Sequence, residues 1–162
     1  MEISSTAFSS RASIPLNHTC NGANTSPALS WKELPRKTKS LVLIVDDPDA
    51  PIGTWTHWIV YNIPPDAKGL PQGVPNLENL PHGMQQGKNS FNKIGYDGPC
   101  PPPGHGAHHY FFRLYALDAV LDIRSGVDRR ELGHAMKGHI ISQAELSGRF
   151  ERHVSGSRER SA

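Results

Sequence analysis

Three runs of hydrophobic residues, separated by turn-forming residues, dominate the pattern along the chain. Residues 41–45 are continuously apolar, which predicts a strand buried on both faces. Residues 55–61 alternate with the period of two that is typical of a strand with two different faces. That alternation places on one face Trp55, His57, Ile59 and Tyr61. Residues 109–117 predict a third strand, and His108 just before it shares a face with Tyr110.

The C-terminal part carries the clearest helix signal. Asp128 precedes Glu131 by three residues, as in a capping box. The apolar positions that follow keep helical spacing as far as Ala144, so we predict a helix there. Residues 145–151 predict a short final strand, and we expect residues 155–162 to form a flexible tail.

Composition favours an antiparallel β architecture. The 162 residues include 15 glycines and 14 prolines, and frequent turn residues between short strand-like runs are typical of β folds. Residues 64–107 have the least regular pattern, and we expect short strands or an ordered binding loop there. No repeat is visible, so residues 1–154 are predicted to form a single domain.

Charge and targeting signals exclude several classes of protein. The formal net charge is only +2 and the basic residues are scattered, which argues against a nucleic-acid partner. No apolar stretch approaches the roughly 20 residues of a transmembrane helix. The N-terminus lacks the basic and apolar regions of a secretory signal, so we expect a cytoplasmic protein.

Two polar stretches adjoin the predicted strands and are candidates for two halves of one pocket. The first is the acidic turn (residues 47–51), which leads into residues 55–57. The second is the proline loop (residues 98–104), which leads into residues 108–110. Each half alone has an ordinary structural explanation, because Asp-Pro is common in turns and a histidine on an apolar face is often a core residue.

Together the two halves suit a small anion. If their strands are neighbours, His57 and His108 face each other across a cavity lined by Trp55 and Tyr110. Imidazole and phenol groups donate hydrogen bonds to oxyanions. A nearby carboxylate repels phosphate, but the repulsion eases if the carboxylate binds an imidazole N–H and favours the imidazolium form, or if the ligand is zwitterionic. The residues therefore point to a phosphate-type group such as phosphoethanolamine.

Two catalytic alternatives stay open at this point. His57, His105 and His108 could ligate zinc together with the aspartates, although their spacing fits no standard metal motif. Cys100 could be a nucleophile. The ordinary interpretation of Cys20 and Cys100 is two reduced thiols, and a single bridge between their loops is also open. The sequence has no nucleophile elbow and no Walker loop, so we expect a non-enzymatic protein without metal or cofactor.

The sequence resembles the phosphatidylethanolamine-binding protein family, also called Raf-kinase-inhibitor-like proteins, and most closely its short bacterial and archaeal branch. The matching motifs lie at residues 26–31, 47–51, 55–58, 98–104, 108–117 and 135–139. The resemblance implies a mainly β, antiparallel β-sandwich with a C-terminal helix, short peripheral helices and an anion pocket at one end. The ligand-binding residues that it implies are Asp47, Asp49, Ala50, Trp55, His57, Pro102, His108 and Tyr110.

The chain departs from the family pattern in places. Ala28 stands where a second proline is common, and His105 in the segment after the proline loop either adds a third imidazole to the site or only reaches solvent. Cys100 is a further candidate contact. Family members often inhibit kinases or proteases, so the alternative to an anion-binding protein is a regulator of a kinase or serine protease. Members occur as monomers and dimers, which leaves a homodimer open.

Overall fold

The computed structural model describes residues 1–153, which form mainly antiparallel strands, as predicted. The predicted tail at residues 155–162 lies outside the described residues. The elements in chain order are β1 Glu2–Ser4, β2 Leu29–Lys32, β3 Ser40–Asp47, β4 Trp55–Ile63, β5 Gly69–Leu70, β6 Gln85–Gln86, β7 His108–Leu117, α1 Arg129–Met136 and β8 Ile140–Phe150. Two short 3₁₀ helices lie at Leu16–His18 and Pro81–Gly83. The short strands β5 and β6 confirm the expectation for residues 64–107.

The strands form two sheets. One has three strands in the order β1-β2-β5, and the other has five in the order β6-β4-β3-β7-β8. The strand pairs of both sheets are antiparallel. The strands that carry His57 and His108 are therefore not direct neighbours, because β3 lies between them. A cavity between these histidines must therefore form at the strand ends, where the side chain of Asp47, the last residue of β3, also takes part.

The central strand β3 is covered on both faces. Leu43 packs with Trp31 in a core shared by the two sheets. Val42 and Ile44 face the other way and pack with Leu132 of α1 in a second core. All eight residues of β3 are buried, which confirms the prediction from its continuous apolar run. The packing on both faces therefore fixes the position of the end of β3.

Helix α1 is shorter than the apolar spacing predicts. The capping box at Asp128 is present, but the helix ends at Met136, so the prediction of a helix as far as residue 144 is wrong. Gly138 adopts a left-handed φ of 83°, which ends the helical path. From Ile140 onward the chain pairs along the full length of β7, so the final strand begins five residues earlier than predicted. The hydrogen bonds that residues 140–150 form with β7 stabilise a strand there, although the spacing of the apolar residues is helical.

A disulfide joins Cys20 to Cys100, so the interpretation as two reduced thiols is wrong and the single bridge is correct. The backbone N–H of Cys20 also donates to the carbonyl of Pro99 at 3.1 Å. Just before the proline loop, the Tyr96 hydroxyl donates to the carbonyl of His18 at 2.6 Å. The covalent bond and the two hydrogen bonds fasten the proline loop to the N-terminal segment.

Candidate functional site

The acidic turn and the proline loop meet at one cavity of about 310 Å³, located where β3 ends and where β4 and β7 begin. The predicted site residues that line it are Asp47, Ala50, Trp55, His57, Pro102, His108, Tyr110 and the additional candidate Cys100. Asp49 and His105 are not among its lining residues. The lining also includes Pro51 and Pro101, which belong to the two predicted halves of the pocket, and two residues outside them, Ile52 and Phe91.

A β-bulge in β4 determines where His57 points. Val45 of β3 pairs with Trp58, and Asp46 pairs with Thr56, so His57 is an extra residue on β4. Such bulges disrupt the alternation of faces and re-aim one side chain, and they are common beside functional sites. Here the re-aimed side chain is a histidine.

The bulge places His57 on a different face from the one that alternation predicts. Ile59 and Tyr61 pack in the core under α1. The His57 ring instead lies edge-on to Tyr110, which belongs to the core between the sheets, with ring centroids 5.2 Å apart. The prediction that His57 shares a face with Ile59 and Tyr61 is wrong, because one inserted residue shifts the later residues to the opposite face. Trp55, which precedes the bulge, lines the cavity together with His57.

His57 is held in one tautomer by Asp97. Its Nδ1 lies 2.6 Å from the carbonyl oxygen of Asp97, and the Asp97 N–H donates to the His57 carbonyl at 3.1 Å. A carbonyl only accepts, so Nδ1 carries the proton and Nε2 of the neutral ring is an acceptor. Burial lowers the pKa of His57, opposed by the bond to Asp97 and by the charge of Asp47. His57 therefore donates to an oxyanion only after it gains a proton.

Asp47 does not present a bare carboxylate to the cavity. Its Oδ1 accepts from the backbone N–H of Asp49 at 2.7 Å, and its Oδ2 accepts from Nδ1 of His108 at 2.7 Å. Asp47 and His108 are only 3% and 2% exposed. This pairing supplies the first part of the condition under which an acidic group tolerates a bound anion, namely a hydrogen bond from an imidazole N–H.

Asp49 lies outside the cavity and fastens the acidic turn to β7. Its Oδ2 accepts from both the backbone N–H and Nδ1 of His109, each at 2.8 Å. The hydrogen bond from the His109 side chain lowers the pKa of Asp49, with smaller contributions from the backbone N–H and from the charges of His109 and His108. The structure thus places Asp49 as a support for the turn rather than as part of the lining.

His105 does not line the cavity, but its ring is joined to the site through His108. Its side chain is exposed, yet its Nδ1 lies 2.6 Å from Nε2 of His108. Asp47, His108 and His105 thus form a chain of hydrogen bonds that runs from the buried base of the site to its surface.

The hydroxyl of Tyr110 is buried without a hydrogen-bond partner, and among residues 1–153 it is the only buried side-chain polar atom in that state. Burial raises the pKa of Tyr110, followed by the charge of Asp47, so the group stays a phenol. A phenol O–H donates one hydrogen bond, and a buried donor without a partner costs free energy. A ligand oxygen beside Tyr110 would satisfy it.

The upper wall of the cavity is apolar. The Trp55 ring packs edge-on against Phe91, with centroids 5.4 Å apart, and Phe91 also contacts His57 at 5.5 Å. Ser90 holds Phe91 in place, because it exchanges two hydrogen bonds with the backbone of Thr56 at 2.8 and 2.7 Å. No sequence signal marked Phe91, since it lies in the irregular stretch 64–107.

Two observations bear on the catalytic alternatives. Within residues 1–153 no group of three or more His, Cys, Asp or Glu side chains is arranged to hold a metal ion. Cys100 is part of the disulfide and has no thiol to act as a nucleophile. In the same residues no helix has the length and apolar character needed to cross a membrane.

Comparison with known proteins gives consistent results. A family model described as phosphatidylethanolamine-binding protein matches residues 4–151. A UPF0098 protein of Methanothermobacter thermautotrophicus is 50% identical over 152 residues, which are 94% of this chain and 99% of the relative. A phosphatidylethanolamine-binding protein homologue of Chlamydia trachomatis has a TM-score of 0.84 and 44% identity. Escherichia coli YbcL, a member of the mammalian PEBP family, has a TM-score of 0.86 and 34% identity. Both structural matches cover 93% of this chain and 97% of the other.

Proposed function

The chain belongs to the phosphatidylethanolamine-binding protein family, and from that membership we propose that its cavity binds a small phosphate-type anion and does not transform it. The observation that carries the proposal is the buried, unpartnered hydroxyl of Tyr110 beside the His57 ring. An oxyanion between them accepts from the phenol and from a protonated His57, and it removes the cost of the unsatisfied donor.

The charges of the site support an anion or a zwitterion. Asp47 accepts a hydrogen bond from His108, so a protonated His108 offsets the charge of this carboxylate at the base of the cavity. The volume of about 310 Å³ leaves room beyond a phosphate for a small organic group against Ala50, Trp55 and Pro102. Phosphoethanolamine combines such a group with a phosphate, and it is the first ligand to test.

The hydrogen bonds of the two histidines support binding rather than catalysis. His57 bonds to the carbonyl of Asp97, and His108 bonds to Asp47 and His105. None of these partners is a hydroxyl or thiol that a histidine could activate as a nucleophile. We therefore propose that the protein is not an enzyme.

Titration with phosphoethanolamine, followed through the ring resonances of His57 and His108, tests the proposal. We expect both rings to shift at millimolar ligand, because both line the cavity. The ring of His139 is the internal control, since it pairs with Asp118 at the opposite end of β7. Shifts at His139 alone, or at none of these rings, would contradict the proposal.

A second candidate function is regulation of a kinase or serine protease, and it is favoured by the rim of the cavity. Ile52 lines the cavity together with Pro51 and Pro102, yet is 82% exposed. A partner could place a phosphorylated side chain in the cavity and apolar residues on this rim. Capture of such a partner by the wild type but not by His57→Ala would support this function. Equal capture by both would locate the interaction on another surface.

Cellular location and oligomeric state stay predictions. The disulfide between Cys20 and Cys100 is typical of an oxidising compartment, which weighs against the cytoplasmic location expected from the sequence. Fractionation of cells, with the redox state of the two cysteines determined in each fraction, tests the location. Sedimentation analysis tests for a homodimer.

A further inference from the structure

We propose that His105 is a positioning residue, which holds Nε2 of His108 while the cavity is empty and is displaced from it when an anion binds. The inference rests on the proposed function. Asp47 occupies Nδ1 of His108 at 2.7 Å, and His105 occupies Nε2 at 2.6 Å. Each ring nitrogen takes part in one in-plane hydrogen bond, so His108 has none to spare for a ligand.

The positions of the protons explain why His105 and an anion compete for the same atom. The Asp47 carboxylate only accepts, so Nδ1 of His108 carries a proton. When His108 is neutral, Nε2 accepts from Nδ1–H of His105, and the chain of bonds is complete. When His108 is charged, Nε2–H donates either to a neutral His105 or to an oxyanion. In the bond to the oxyanion both the donor and the acceptor are charged, so it is the stronger of the two.

The local chain allows His105 to leave. It lies between Gly104 and Gly106, which have φ values of 75° and 87°, and the space around Gly106 is open. The backbone is anchored independently, since Gly104 N–H donates to the carbonyl of Arg152 at 2.8 Å. Displacement of His105 therefore needs only rotation of its exposed side chain, and water replaces the hydrogen bond that the side chain loses. Buried His108, in contrast, needs a new partner for Nε2.

The variant His105→Ala tests the competition with inorganic phosphate as the ligand. We expect phosphate to bind about three- to tenfold more tightly than to the wild type, because no hydrogen bond has to break first. His139→Ala, which also removes an exposed histidine with one 2.8 Å bond, is the matched control and should leave the affinity unchanged. In the wild type, we also expect phosphate to move the His105 ring resonances to the values of a solvated histidine.

Each outcome decides between the two proposals. Unchanged or weaker binding by His105→Ala, with normal binding by the wild type, would overturn the competition and leave the proposed function intact. Weaker binding would indicate that His105 contacts the anion itself. Binding by His105→Ala alone would support the competition in its strongest form. Binding by neither protein would contradict the proposed function and the competition with it.

Discussion

At the scale of single residues, replacement of Tyr110 should affect folding stability and anion affinity differently. Its hydroxyl is buried without a partner, so Tyr110→Phe removes an unsatisfied group. We expect the free energy of unfolding to stay the same or rise by up to about 1 kcal/mol, while phosphate affinity falls about three- to tenfold. Urea unfolding and calorimetric titration of the same preparation measure the two quantities.

Tyr96→Phe is the matched control for Tyr110→Phe. The hydroxyl of Tyr96 is also buried, but it donates to the carbonyl of His18 at 2.6 Å. Its loss leaves that carbonyl without this donor and should lower the free energy of unfolding by about 1–2 kcal/mol, with little effect on phosphate affinity. Equal losses of stability in the two variants, or full affinity in Tyr110→Phe, would contradict the role given to Tyr110.

The protonation of His57 predicts that anion affinity depends on pH. Burial lowers the pKa of His57 below its ordinary value of 6.5, so above that pH the His57 ring of the ligand-free protein is predominantly neutral. Sulfate binding requires a proton on Nε2, and its affinity should therefore rise between about pH 8 and pH 6, by at most about tenfold per pH unit for one proton. Sulfate is the suitable probe because it does not titrate in this range. An affinity for sulfate that does not change with pH would contradict the requirement for a proton on His57.

The ligand-free protein should respond to acid in the opposite direction. Since the pKa of His57 is lower in the folded state, the unfolded chain binds more protons below the ordinary value of 6.5. The contribution of His57 to stability is complete above that value and is lost as the pH falls from it to the lowered pKa. Unfolding curves without sulfate provide this control.

The chemical types of the site residues were easier to predict than their geometry. His57 and His108 stood out because titratable side chains adjoin apolar strands. The hydrogen bond between His105 and His108 was not predictable, since it depends on the path of a loop with two left-handed glycines. Phe91 was missed because its loop has no periodic pattern.

At the scale of elements, sequence periodicity predicted the strands β3, β4 and β7 but not how they meet. Alternation assumes one residue for each step of the ladder, so it could not show the bulge that inserts His57 between the paired residues Thr56 and Trp58. The end of α1 was misplaced for a related reason. Whether residue 140 continues a helix or begins a strand depends on β7, a partner that local spacing does not show.

Among the links between elements, we expect the disulfide between Cys20 and Cys100 to have the largest effect on folding stability. It closes a long loop, with 80 residues of sequence separation between Cys20 and Cys100. Replacement of both by serine should lower the free energy of unfolding by about 2–4 kcal/mol, because the unfolded chain regains the entropy of the open loop. Urea unfolding measures the change.

Treatment with a reducing agent is the control for the serine replacements. It should lower the stability of the wild type to that of the double variant and leave the double variant unchanged. A loss well below about 1 kcal/mol would show that the hydrogen bonds of Cys20 and Tyr96 alone hold the proline loop.

At the scale of the whole molecule, the candidate site lies where a rigid sheet meets two stiff loops. The central strand β3 is buried on both faces, and its last residue, Asp47, forms the base of the site. The acidic turn and the proline loop are far apart in sequence, and the antiparallel order of β4, β3 and β7 brings them to one edge. Function on loops above a rigid scaffold is a common arrangement, and it explains why sequence motifs marked both halves of the pocket.

The most direct test of anion binding is the anomalous diffraction of a crystal grown without other oxyanions and soaked in selenate, which is a heavier analogue of sulfate. We expect a selenium peak inside the cavity, with selenate oxygens within hydrogen-bond distance of the Tyr110 hydroxyl and Nε2 of His57. Selenium peaks only on the outer surface, with none in the cavity, would contradict anion binding at this site.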